Sequence, residues 1–151
     1  MDKKQLLRIS SLLAFLFSLT GAIFLLFTPW SYWWYSYVSG GWRYSGAGTV
    51  NVGTPGAGAF ILLAAIFLLI CALISILAFI PGKIASRTPI LISLIFAIMV
   101  LVLIVLGAVV TAAIMAADNN YWEFGAGFYG GLSGTLFTIL FTLIMIISWE
   151  K

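Results

Sequence analysis

Charge is what this sequence has least of. Its 151 residues include seven Lys or Arg, four Asp or Glu and no His, so 7% are charged against 64% hydrophobic. A water-soluble domain carries about 25% charged residues, because its surface has to be solvated. So few charges cannot cover a globule of this length, and hydrocarbon is the expected solvent for much of its surface. The net charge of +3 is too small to read as a nucleic-acid footprint, and no nucleic acid is expected as a partner.

Cysteine is nearly absent as well. Cys71 stands alone, so no intramolecular disulfide framework is available to the loops. One thiol and no imidazole leave a zinc, haem or copper site without its usual ligands, and neither metal nor cofactor is expected. Cys71 reads as a small packing residue inside a span.

What the chain has instead is four apolar runs: 6–27, 59–80, 89–117 and 128–147. A spanning helix needs about 20 residues to cross a core near 30 Å thick, and each run reaches that length. Apart from Arg8, at the start of the first, none contains Asp, Glu, Lys or Arg. The second run holds fifteen Leu, Ile or Phe residues, each favouring insertion by about 0.3–0.6 kcal/mol. Leu6–Phe27 is longer than a signal-peptide core of about 7–15 residues and lacks a small-residue cleavage site after it, so it reads as a first span. Pro29, Pro55, Pro81 and Pro89 all fall at or beyond the run ends, where the missing N–H does least harm to a helix. The expected fold is an all-α membrane protein, a four-transmembrane-helix bundle forming one membrane domain over 1–151.

Orientation is read from Lys and Arg. Lys3, Lys4, Arg8, Lys83, Arg87 and Lys151 fall on one side, and Arg43 alone on the other. The positive-inside rule then places both termini and the short loop 81–88 in the cytoplasm, with loops 28–58 and 118–127 outside.

Those outer loops hold most of the Trp and Tyr residues. Trp30, Tyr32, Trp33, Trp34, Tyr35, Tyr37, Trp42 and Tyr44 crowd the first, Tyr121 and Trp122 join from the second, and Tyr129 from the adjoining start of the fourth run; of the Trp and Tyr residues, only Trp149 lies on the inner side. One reading is an aromatic belt, since amphipathic rings favour the headgroup level. It accounts well for Trp30, Tyr129 and Trp149, which sit near span ends. It accounts less well for rings as deep in the loop as Tyr37 to Tyr44, or for so lopsided a distribution. The other reading is a partner-binding platform, because Trp and Tyr offer large contact area with few rotatable bonds. On that reading the contact residues are Trp33, Trp34, Tyr35, Trp42 and Tyr44, with Tyr121 and Trp122 beside them. Tyr35–Val38, then Ser39-Gly40-Gly41, then Trp42–Tyr44 form a candidate β-hairpin, with Gly supplying the turn. Thr49–Val52 is a candidate third strand. Two strands alone are marginal in water, so the hairpin needs the membrane, the second loop or another protein to lean on.

Small residues recur along the spans at helical spacing. Gly130, Gly134, Thr138 and Thr142 form a stripe in the fourth run; Ser11, Ala14, Ser18 and Gly21 do so in the first. The second offers Ala64, Cys71, Ser75 and Ala78, and the third Ala108, Ala112 and Ala116. Lipid gives helices no hydrophobic drive to associate, so close approach through small residues supplies the packing instead. These stripes are expected to pack the bundle, with a share available to other protomers or subunits.

Transporters and proton pumps usually place ionisable groups inside the membrane, whereas these runs offer only Ser and Thr hydroxyls at depth. Ser75, Thr111 and Thr138 are expected to bond to helix carbonyls. Gly125-Ala-Gly127 leads into an apolar run and not into a nucleotide turn. With Asp118 and Glu123 as the only outward carboxylates and no His as a base, no enzyme is expected.

Trp30 followed by Gly41-Trp42, in the larger of two outer loops between four spans with inner termini, resembles the claudin-like tetraspans. The resemblance covers topology and those residue types. The paired loop cysteines of that family are missing here, and the loop is shorter. It implies an adhesion or barrier role. The sequence as a whole leaves four roles open: a structural or accessory subunit of a larger membrane assembly, contacting lipid and either other subunits or copies of itself; a claudin-like adhesion or barrier protein; a channel or carrier for a neutral or apolar solute; or a lipid-embedded component of a virus-like or vesicle envelope.

Overall fold

Inside a bilayer every backbone N–H and C=O must find its partner within the protein, which leaves long apolar runs one local solution, the helix. The computed structural model describes residues 2–37, 41–48, 56–117 and 121–149, with the backbone alone for 34–37 and 41–48. Four helices span it: α1 (Lys3–Phe27), α2 (Gly58–Phe79), α3 (Thr88–Ala117) and α4 (Ala126–Ser148). All four are long and apolar enough to cross a membrane. The chain is a four-helix integral membrane bundle.

The helix ends follow local chemistry. α1 starts three residues earlier than its apolar run, because Lys3, Lys4 and Gln5 are good helix formers. It stops where Thr28 turns its hydroxyl back onto the Phe24 carbonyl (2.7 Å) and Pro29 follows. α3, at 30 residues, is about 45 Å long, enough to tilt or protrude beyond the hydrocarbon.

Neighbouring helices close a ring, α1 on α2, α2 on α3, α3 on α4 and α4 back on α1, with α1 and α4 packed most closely. At one end the core gathers Leu25, Trp30, Ala57, Ile61, Leu68, Val100 and Ile104. At the other it gathers Ala14, Ile90, Met145 and Ile146, with Leu7 and Trp149 packed against them. The outward faces stay apolar: Phe27, Leu73, Ile95, Val102 and Val109 are all exposed, as a lipid-facing surface requires.

A small antiparallel sheet sits beyond the helix ends, built from β1 (Ser31–Tyr37), β2 (Gly41–Gly48) and β3 (Tyr121–Phe124) in the order β2-β1-β3. β1 and β2 form the expected hairpin, longer than the sequence suggested, with Ser31 opposite Gly48 and Tyr37 opposite Gly41, so that Gly41 opens β2 and does not belong to the turn expected at Ser39-Gly40-Gly41. A bulge shifts the register between Trp33 and Trp34. The strand expected at Thr49–Val52 lies outside the described residues. The third strand comes instead from the other loop: β3 pairs with β1, placing Ser31 opposite Phe124 and Trp34 opposite Tyr121. The hairpin therefore leans on the second loop.

Candidate functional site

The sheet is fastened to the bundle through Trp30. This ring is buried, with 1% of its surface exposed, and its Nε1–H donates to Thr111 Oγ1 on α3 (3.0 Å). The Thr111 hydroxyl donates in turn to the Gly107 carbonyl (2.8 Å). Gly107 has no side chain, and the Trp30 ring lies over it. The belt reading of Trp30 is thus corrected: position near a span end suits both a headgroup ring and a core ring, and here the indole finds its acceptor inside the protein.

From Trp30 an aromatic chain runs into the sheet. Phe128 and Phe124 meet its ring edge-to-face, at 5.3 and 6.2 Å between centroids, and stack on each other at 4.1 Å. Trp122 continues the line, edge-to-face with Phe124 at 4.9 Å. Such pairs contribute about 0.5–1.5 kcal/mol each beyond the area they bury.

A second fastening is made of backbone. The Gly125 N–H donates to the Trp30 carbonyl and the Gly127 N–H to the Pro29 carbonyl, both at 2.8 Å. The second bond satisfies one of the unpaired N–H groups at the start of α4. A Cβ on Gly125 would collide with the Pro29 carbonyl oxygen, and one on Gly127 would lie 2.9 Å from it. Gly125-Ala-Gly127 is therefore the contact that seats α4 against the exit of α1, a role that its reading as a membrane entry did not include.

Of the expected contact residues, Trp33 is half-buried and lies opposite Trp122 on β3 and Gly46 on β2. Trp34 takes the register position opposite Tyr121 and Tyr44. Tyr35 pairs with Arg43 and Trp42 with Ser36, nearer the turn and past the reach of β3. Trp122 is half-buried, while Tyr121 is 62% exposed. The two loops thus bring Trp33, Trp34, Tyr44, Tyr121 and Trp122 into adjacent register positions of one sheet.

The expected packing residues are distributed unevenly. Gly21 and Gly134 meet where α1 crosses α4: a Cβ on Gly134 would lie 2.6 Å from Gly21 Cα and 2.8 Å from the Phe17 carbonyl oxygen. Gly130 faces the Phe24 ring from α1. Ser18 donates to the Ala14 carbonyl and Thr138 to the Gly134 carbonyl, each at 2.7 Å. Ser75 is buried but its hydroxyl makes no hydrogen bond, unlike the expectation for it. On α3 the buried face runs through Ile104, Gly107, Thr111 and Met115. Ala108 and Ala112 flank it half-buried, and Ala116 is exposed. Cys71 is buried, its Sγ 3.3 Å from the Ser93 carbonyl.

Set beside known proteins, the chain matches no protein-family model, and no curated protein matches it.

Proposed function

We propose that this chain is a non-catalytic tetraspan subunit of a larger membrane assembly, docking a partner through the sheet. The observation that carries the reading is the sheet itself. Two loops far apart in sequence contribute aromatic residues to one three-stranded unit, anchored by the Trp30–Thr111 bond. A belt of headgroup rings needs no such construction, whereas a recognition surface gains from rigid, preorganised aromatic groups.

The proposed contact residues are Trp33, Trp34, Tyr35, Trp42 and Tyr44, with Tyr121 at the exposed edge. The proposed orientation puts the sheet outside and both termini in the cytoplasm, from the clustering of Lys and Arg at the opposite end. The non-catalytic reading is supported by the interior hydroxyls of Ser18, Thr111, Thr135 and Thr138, which all donate to carbonyls of their own helices. Replacing Trp33, Trp34, Tyr35, Trp42 and Tyr44 by Ser is expected to dissolve the native complex on a non-denaturing gel while membrane insertion persists. An assembly of unchanged size would overturn the docking role.

A further inference from the structure

At the end of the bundle opposite the sheet, the start of α1, the end of α2 and Trp149 enclose a pocket of about 210 Å³. Lys4, Leu7, Arg8, Ala78, Phe79 and Trp149 are among the residues that line it. We propose that this pocket binds the headgroup of an anionic glycerophospholipid, with its acyl chains lying along the apolar surface beside α2.

The argument begins with spacing. Lys4 and Arg8 are four residues apart on α1, so one helix face presents both cations to the same space. Both side chains are long, exposed and able to donate to phosphate oxygens, Arg through a planar fork and Lys as a point charge. Among the described residues, no acidic side chain lines the pocket.

The remaining walls are apolar and select the kind of anion. Leu7, Ala78, Phe79, Ile80 and Trp149 would leave a free, fully hydrated phosphate against hydrocarbon. They suit a molecule that is charged at one end and apolar at the other. Phe79 and Ile80 are 37% and 40% exposed and continue the lipid-facing surface away from the pocket. Pro81 and Gly82, just past the end of α2, mark where the chain leaves the hydrocarbon. The cations therefore sit at headgroup depth, where basic pockets between helix ends hold anionic lipid headgroups.

The experiment uses the full-length protein, purified in mild detergent and titrated with dioleoyl phosphatidylglycerol, dioleoyl phosphatidylcholine or inorganic phosphate. Bound lipid is counted by native mass spectrometry. Phosphatidylglycerol is expected to be retained in preference to phosphatidylcholine. K4Q/R8Q is expected to weaken that retention about 30-fold, from two basic groups at roughly fivefold each. K83Q/R87Q removes the same charge from the same end but from residues that do not line the pocket, and is expected to bind as the native chain does. A78F, which fills the pocket without changing charge, is expected to weaken binding as well. Equal loss in both charge variants would replace the site with a diffuse basic surface and overturn the proposal. Displacement of the lipid by millimolar inorganic phosphate would overturn the lipid assignment.

Discussion

The indole of Trp30 and the hydroxyl of Thr111, 81 residues apart in the chain, are joined by a 3.0 Å hydrogen bond in the buried core. This contact ties the segment between α1 and β1 to the buried face of α3 near its C-terminal end. Breaking this bond is costly, because a buried donor left without its acceptor has nowhere else to go.

Removing the acceptor should therefore cost more than its small size suggests. Thr111→Val leaves the indole N–H buried without a partner, a loss of about 1–3 kcal/mol. Trp30→Phe removes the donor while the Thr111 hydroxyl keeps its bond to Gly107. The double variant should lose less stability than the sum of the two single variants. Unfolding in mixed detergent and SDS measures all three, and strict additivity would show that the bond does not couple the two sites.

The crossing of α1 and α4 is set by the absence of side chains. Gly134→Ala places a methyl 2.6 Å from Gly21 Cα, against backbone that cannot move independently of the helix. The expected loss is about 1–3 kcal/mol, as for other overpacked cores. Ser133→Ala, at an exposed neighbouring position, should change stability by less than about 0.5 kcal/mol. Equal unfolding midpoints for the two variants would remove the crossing from the account.

Gly127→Ala should act on the other fastening. Its methyl would press on the carbonyl oxygens of Thr28 and Pro29, at 2.8 and 2.9 Å, and open the bond from the Gly127 amide to Pro29. Amide hydrogen exchange at residues 125–127 should accelerate, and the sheet amides of β3 should follow. Unchanged protection in β3 would mean that the sheet does not depend on this seat.

Two neighbours on β3 should separate stability from recognition. Trp122→Ser removes a ring packed against Phe124 and should destabilise the sheet. Tyr121→Ser alters a side chain that is 62% exposed and should lower the unfolding midpoint less than Trp122→Ser does while weakening partner retention. Loss of stability in Tyr121→Ser comparable to Trp122→Ser would place Tyr121 in the scaffold instead.

The spans were legible in the sequence because lipid imposes a length and forbids charge, and both rules act locally. The hairpin was legible from two aromatic segments separated by a short Gly-containing stretch, although Gly41 pairs with Tyr37 inside the ladder. Its third strand was not, since Tyr121–Phe124 is four residues long and acquires its meaning only by pairing with β1 across the chain. Trp30 was misread because a span end suits a headgroup ring and a core ring equally. The inward face of α3 was legible in part: Ala108 packs against the core, but a helix apolar all round offers no contrast, and Gly107 and Thr111 beside the alanines are the more deeply buried. The pairing of Gly125 and Gly127, two residues apart at a helix start, was the one overlooked signal that close backbone approach could have explained.

The central claim is that four helices cross the bilayer, leaving the sheet on one face and the termini with the 81–88 loop on the other. Single cysteines at positions 4, 86 and 123, each in a Cys71→Ala background, can be labelled with a membrane-impermeant maleimide in intact cells and again after permeabilisation. Positions 4 and 86 should label only after permeabilisation, and position 123 should label in both. Labelling of positions 86 and 123 from the same side would contradict the bundle's placement in the membrane and, with it, the exposed aromatic sheet.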